Sequence, residues 1–306
     1  MCRLNPRVDF AFKKLFGSEE NTDILQAFVN AVLPAHDQVV SLVLKNPYNL
    51  KDFASDKLSI LDIRAIDTKG RHLTIEMQVT DQLHYEKRAL FLWSDVYAKQ
   101  LKEGQDYSDL QKTIAIHVLN FDLMDEVDYH NTYKIKNIKS EKEAFDDFQL
   151  HTIELNKFHA DMAHLKTSLD RWVTFLTKAH EFSKHSIPDA LRQEKEVAKA
   201  IVALDTLYLN DTERALYEGQ LKWLRDERAA IEKAHYEGQL EGRLEGEELG
   251  LKKGEELGLK KGEELGLKKG RMEGRMETAR ALKAAGIPVA DIQKYTQLNH
   301  DDIESL

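Results

Sequence analysis

Alternating apolar and polar positions predict a β-hairpin in the first third of the chain. Residues 59–66 and 73–79 both alternate with period two and are rich in β-branched side chains. The short loop between them ends at Gly70, which supplies the left-handed backbone position of a common hairpin closure. If Asp67 pairs with Arg71, this closure fixes the register of the two strands.

The predicted register brings acidic and amide side chains to one face of the hairpin. Asp62 falls opposite Glu76, and Gln78 shares their face because strand side chains alternate. Two opposed carboxylates repel each other by roughly 0.2–1 kcal/mol when exposed and by more when buried. A divalent cation or a shared proton would relieve this repulsion, and oxygen ligands suit Mg²⁺ or Mn²⁺ better than zinc. The alternative is a solvated acidic face, or carboxylates paired with Arg64 and a distant lysine.

Further helices and strands are predicted on both sides of the hairpin. Helical spacing of apolar residues covers residues 8–16, 21–33 and 83–101, and strand patterns lie near 38–44, 112–121, 129–138 and 148–155. This order of elements predicts an α/β fold with a mixed central sheet flanked by helices.

Composition and charge limit the class of protein. The 306 residues are 42% hydrophobic, which is enough for one sizeable core plus an appendage. No apolar run reaches membrane-spanning length and the start is unlike a signal peptide, so we expect a cytoplasmic protein with no membrane partner. Cys2 is the only cysteine, and scattered histidines such as His117 are interpreted as structural. The net charge of −9 argues against a nucleic-acid coat protein, although a local basic rim remains open.

Four segments, taken in order, carry a family resemblance. Residues 9–16, 61–63, 75–78 and 87–94 resemble the Rpn family of recombination-promoting nucleases, which are also described as PD-(D/E)XK nuclease family transposases. The resemblance covers about the first half of the chain. It implies a restriction-endonuclease-like core and Mg²⁺-dependent cleavage of DNA, with Mn²⁺ or Ca²⁺ as alternative ions.

The resemblance also implies roles for individual residues. Asp62 and Glu76 match the metal-binding acids of the motif, with the Met77 backbone carbonyl as a further ligand. Gln78 stands where the common form of the motif has lysine, and a glutamine side chain offers only hydrogen bonds. Charge stabilisation would then depend on the metal and on a nearby cation, for which Arg88 is the leading residue. The alternative for Arg88 is a surface or ion-paired arginine.

The first predicted helix supplies two further site residues. Asp9 is a weaker catalytic candidate as an outer acid, and its alternative is a helix-capping acid. Lys13 is a weaker candidate for contact with DNA phosphate. Phe10, Phe12 and Phe16 are predicted to pack in the core rather than against bases.

The second half of the chain has a different pattern. After a predicted helical extension, glycine occurs at every fourth position from Gly238 to Gly274. A helix through these glycines loses about 1 kcal/mol at each, or ~10 kcal/mol in total, whereas each Glu–Lys pair returns only roughly 0.2–0.5 kcal/mol. We therefore predict a flexible or marginally helical spacer, with close packing of small residues between chains as the alternative. The last residues predict three short helices, which favour an oligomerisation or regulatory module over a DNA-reading one.

The predicted organisation has four parts. They are a nuclease-like domain (1–157), an α-helical extension (158–237), the glycine-repeat spacer (238–275) and a small helical C-terminal module (276–306). The predicted function is a metal-dependent DNA endonuclease acting in DNA recombination or in defence against foreign DNA. A catalytically silent nuclease-fold scaffold, acting through C-terminal homo-oligomerisation, is the alternative.

Overall fold

The computed structural model describes residues 4–46 and 63–306. The strands are β1 (Leu42–Leu44), β2 (Ile63–Asp67), β3 (His72–Gln78), β4 (Thr113–Leu119), β5 (His130–Lys136) and β6 (Glu143–Glu154). The helices are α1 (Asp9–Phe16), α2 (Thr22–Val32), α3 (Tyr85–Ala98), α4 (Ser168–Lys178), α5 (Asp189–Arg192), α6 (Lys195–Thr206), α7 (Asp211–Ala284), α8 (Val289–Thr296) and α9 (His300–Glu304). The strands predicted from the sequence are present, and the largest difference is that β6 begins at Glu143 rather than near residue 148.

The strands form one mixed sheet in the spatial order β1-β2-β3-β4-β6-β5. The pairs β3–β4 and β4–β6 are parallel, and the other pairs are antiparallel. Every residue of β4 is buried, as expected for a central strand covered on both faces. The α/β fold with a mixed sheet flanked by helices is confirmed, and it is consistent with a restriction-endonuclease-like core.

The hairpin has the register that its closure predicts. β2 and β3 are antiparallel, with Arg64 opposite Thr74. Gly70 has φ +80°, which is the left-handed position that the loop requires. The prediction that Asp62 lies opposite Glu76 concerns a residue outside the described ranges, so it stays a prediction.

One hydrophobic core joins the sheet to helices on both sides of residue 157. The ring of Trp172 on α4 lies 5.8 Å from that of Phe16 and 5.6 Å from that of Phe28. Phe10, Phe12 and Phe16 are fully buried in the same cluster, which confirms that they are core residues. The predicted boundary at 157 therefore does not separate two cores, because α4 and α6 bury their apolar faces on the sheet domain.

The chain divides into two compact units, Met1–Ala230 and Ile231–Leu306. The glycine repeat lies in the continuous helix α7. This differs from the flexible or marginally helical spacer predicted from the helix stability that each glycine loses. Between the glycines stand glutamate, leucine and lysine, which are strong helix formers. Ion pairs four residues apart recur along the exposed surface, with Lys252 Nζ 2.6 Å from a Glu248 oxygen and Lys260 Nζ 2.7 Å from a Glu256 oxygen. Glutamate precedes lysine in each, the orientation that stabilises a helix best.

The C-terminal residues have a small apolar cluster of their own. Its buried members are Ala279, Ile292, Leu298 and Ile303. The first of the three predicted short helices is the last part of α7, and the other two are α8 and α9. Among the described residues, none of the helices combines the length and hydrophobicity that crossing a bilayer requires.

Candidate active site

The C-terminal end of β3 carries two of the predicted site residues. Glu76 and Gln78 alternate onto the same face of the sheet and are 5% and 7% exposed. The neighbouring strand β4 runs parallel to β3 and places His117 directly opposite Glu76. A carboxylate so deeply buried needs an opposite charge or strong hydrogen bonds.

Arg88 on α3 supplies the opposite charge. Its Nη2 donates a hydrogen bond to Glu76 Oε1 at 3.1 Å, and its Nη1 donates to the Gln82 side chain. The guanidinium carbon lies 6.0 Å from the centre of the Tyr85 ring. The Arg88 side chain is 36% exposed, so it borders both the buried acid and solvent. The structure therefore makes Arg88 an ion-paired arginine and places that pair within the predicted site.

His117 and Tyr85 complete the surroundings of Glu76. His117 Nδ1 lies 3.6 Å from Glu76 Oε2 and 2.8 Å from Tyr85 Oη, the latter a hydrogen bond. Burial raises the pKa of the Tyr85 hydroxyl, and the nearby Glu76 raises it further. The hydroxyl therefore stays protonated and can donate.

Asp9 belongs electrostatically to the same site. It is the first residue of α1, but the residue that caps this helix is Val8, and no side chain makes the capping hydrogen bond. Asp9 Oδ1 is buried and has no hydrogen-bond partner among the residues described. Burial, and secondarily Glu76, raises the pKa of Asp9 to about 7, while Arg88 opposes the shift. Asp9 therefore does not cap α1 through its side chain, and its role as an outer acid stays a prediction.

The remaining predicted residues lie at the edge of this group. Gln78 Nε2 donates to the Thr80 carbonyl at 3.1 Å, which fixes the side-chain amide. The Met77 side chain points away into the core and is 1% exposed, so only its backbone is available as a ligand. Lys13 is 6% exposed, which leaves little of it open to a phosphate. The roles of Met77 and Lys13 stay predictions.

A comparison with family models gives the decisive match. The model of the PD-(D/E)XK nuclease family transposases matches residues 6–234. The chain belongs to this family. The matched residues include the hairpin, Glu76, Arg88 and helices α4 to α6, so the PD-(D/E)XK match extends well beyond the first half of the chain. No curated protein and no solved structure matches the chain.

Membership in the PD-(D/E)XK family indicates a nuclease-type hydrolase that binds DNA, and such nucleases generally use divalent metals. The described residues fit such an ion in part. Asp9 offers a buried carboxylate oxygen that has no hydrogen-bond partner within the described ranges, and Glu76 offers a second carboxylate whose charge Arg88 now balances. Within residues 4–46 and 63–306, no three histidine, cysteine or acidic residues form a group able to hold a metal ion. Asp62, the further acid of the PD-(D/E)XK motif, lies outside those ranges.

Sequence reasoning missed two members of this site. The sequence favours a structural role for His117 and places Tyr85 only within the apolar spacing of the predicted helix at residues 83–101. Both meet Glu76 because β3 and β4 pair in parallel and α3 crosses them. The distance along the chain between Glu76 and His117 hides this pairing, and no local motif in the sequence indicates it.

Proposed function

We propose that this PD-(D/E)XK protein is a metal-dependent DNA endonuclease of the recombination-promoting type. It would hydrolyse phosphodiester bonds in cytoplasmic DNA, in recombination or in defence against foreign DNA. The observation that supports the proposal most is the Asp9–Glu76 pair of acids. One carries a buried oxygen without a partner among the described residues, and each carboxylate lies in the field of the other. Acids that lie together and have a strongly perturbed pKa mark a candidate functional site.

Asp62, Glu76 and the Met77 carbonyl would hold the ion, with Asp9 as an outer acid. Magnesium, when bound, supplies a Lewis acid that polarises the scissile phosphate and lowers the pKa of the attacking water. Gln78 would orient that water. Because its Nε2 donates to Thr80, the amide oxygen is the atom that would accept the hydrogen bond from water.

Arg88 would replace the lysine of the common motif. Its guanidinium now pairs with Glu76 in the site, and its side chain is 36% exposed to solvent, from which a phosphate would approach. A guanidinium can bind two phosphate oxygens at once and remains charged at any physiological pH. With Glu76 bound to a cation, Arg88 would be available to stabilise the negative charge that develops on the phosphate.

Nicking of supercoiled plasmid in Mg²⁺ or Mn²⁺ tests the proposal. Asp62→Ala and Glu76→Gln should each lower the nicking rate by more than about 100-fold, since even supporting residues of metal sites cost 10–100-fold. Glu143→Gln is the matched control, because Glu143 is a surface acid whose partner is Lys134. A parent protein that nicks no DNA with either ion, or variants as active as the parent, would remove the nuclease assignment.

A silent nuclease-fold scaffold is the second proposal, and the Arg88–Glu76 ion pair is the observation that favours it. Such a pair stabilises a buried acid without any metal. Homo-oligomerisation would then occur through α7, where leucines such as Leu251 and Leu259 are 70% and 69% exposed. The plasmid assay separates the two functions. Sedimentation of the full chain and of a chain ending after residue 230 tests the oligomer, which should be lost on truncation.

A further inference from the structure

Three buried polar side chains lie next to one another between α3 and the acid of β3. Tyr85, His117 and Glu76 are 1%, 2% and 5% exposed. Tyr85 Oη lies 2.8 Å from His117 Nδ1, and the same nitrogen lies 3.6 Å from Glu76 Oε2. The ring of Tyr85 is fixed in turn by Phe121, whose ring meets it edge-on at 5.5 Å.

The two oxygens of the Glu76 carboxylate have different neighbours. Oε1 faces Arg88, and Oε2 faces His117. Arg88 borders solvent, whereas the histidine and the tyrosine are closed off from it. His117 therefore contacts the buried side of the carboxylate, and the oxygen on the accessible side faces the charged Arg88.

We propose that His117 and Tyr85 are positioning residues that hold the Glu76 carboxylate in the orientation in which it binds a divalent cation. The inference rests on the proposed function and deepens it, because it concerns the same acid. Residues behind a metal ligand orient it and make it a better ligand, and their loss typically costs 10–100-fold in metal affinity or activity.

The composition of the surrounding face supports this role over simple packing. Next to the three polar side chains the face is apolar, with Ala115, Leu119 and Leu150 in one cluster with Tyr85. An apolar pair in place of the tyrosine hydroxyl and the imidazole would pack there without any need for polar partners. The hydroxyl instead bonds His117, and the imidazole lies beside Glu76. Elsewhere between α3 and β4, Trp93 Nε1 donates to the Thr113 carbonyl at 2.8 Å, a bond that joins helix and strand away from the acid.

Affinity for Mn²⁺ without DNA, read from the paramagnetic signal of the free ion, tests the proposal on the full chain. Tyr85→Phe removes only the hydroxyl and should raise the Mn²⁺ dissociation constant about 10–100-fold. High Mn²⁺ should restore most of its plasmid-nicking rate, because the defect lies in ion binding. Trp93→Phe is the matched control. It also removes one hydrogen bond between α3 and β4, so its melting temperature should fall while its Mn²⁺ affinity equals that of the parent.

His117→Asn and His117→Leu provide a second test that does not depend on how Tyr85→Phe folds. The two new side chains have nearly the same size and shape, and only asparagine places a hydrogen-bonding group near the former Nδ1 position. We expect the leucine variant to bind Mn²⁺ at least about 10-fold more weakly than the asparagine variant.

Two results separate this proposal from the proposed function. If the parent binds Mn²⁺ and nicks plasmid, but Tyr85→Phe matches Trp93→Phe and the two His117 variants bind the ion equally, the positioning role is overturned and the nuclease stands. A parent that binds no Mn²⁺ overturns both.

Discussion

Removal of the Arg88 charge is the sharpest test of how Glu76 is balanced. Arg88→Met keeps the aliphatic part of the side chain and leaves the buried carboxylate without its arginine. Loss of one partner from a fully buried pair costs about 3–5 kcal/mol, and loss from an exposed pair costs about 0–1 kcal/mol. The Glu76 side chain is 6% exposed and that of Arg88 is 36% exposed. Because solvent screens the arginine in part, we expect Arg88→Met to lower the free energy of unfolding by about 1–3 kcal/mol.

The assay is thermal unfolding with EDTA and again with excess Mn²⁺. In EDTA the expected loss corresponds to a fall in melting temperature of roughly 2–12 °C. With Mn²⁺ the difference from the parent should shrink, because the ion replaces arginine as the opposite charge of Glu76. Adding Glu76→Gln to Arg88→Met should restore stability in EDTA, since the unbalanced charge is then gone.

Lys99→Met is the matched control for this experiment. Lys99 caps the C-terminal end of the same helix, α3, and its Nζ is 2.8 Å from an Asp95 oxygen, but the two side chains are 68% and 29% exposed. Its loss should cost no more than about 0.5 kcal/mol. The reasoning is refuted if Arg88→Met loses no more than Lys99→Met, or if its deficit is the same with and without Mn²⁺.

Three further outcomes are expected. Burial, and secondarily His130, lowers the pKa of His151 to about 3 from 6.5, so the folded protein keeps the imidazole neutral while the unfolded chain binds a proton below about pH 6.5. Stability should fall as pH drops through that value, by roughly 2 kcal/mol at pH 5, and urea unfolding should show a smaller fall in His151→Gln. Trp172→Ala should destabilise by about 3–5 kcal/mol, measured in urea, and an effect under 1 kcal/mol would contradict the single core. An alanine Cβ at Gly258 meets nothing within 4 Å, so Gly258→Ala should slow hydrogen exchange in α7 as it gains about 1 kcal/mol of helix stability; unchanged exchange would argue against the helix.

Local features of the sequence predict the hairpin well, and long-range contacts explain what they miss. Gly70 and the alternating strands are enough to set Arg64 opposite Thr74, because a short closure leaves one register. The electrostatic interaction of Asp9 with Glu76 depends on where α1 packs against the sheet, and no pattern within α1 specifies that position. The glycine repeat is helical rather than a flexible spacer for a different reason. Propensity sums describe an isolated helix, whereas this one continues from turns that already contact the core through Tyr217.

The position of Gln78 explains why the site would take its cation from a helix. A lysine at this position would be a buried ammonium on a strand fixed by pairing on both sides, next to the acid that is proposed to bind a metal ion. It would compete with that ion for Glu76 and would have little room to withdraw. Glutamine adds no charge, and its amide is satisfied by Thr80. Arg88 lies near the start of α3 with part of its side chain in solvent, so it balances Glu76 in the structure and would release it if an ion were bound there. A glutamine at position 78 on β3 and an arginine at position 88 on α3 therefore depend on each other electrostatically. A mutagenesis experiment should change Gln78 and Arg88 together as well as singly.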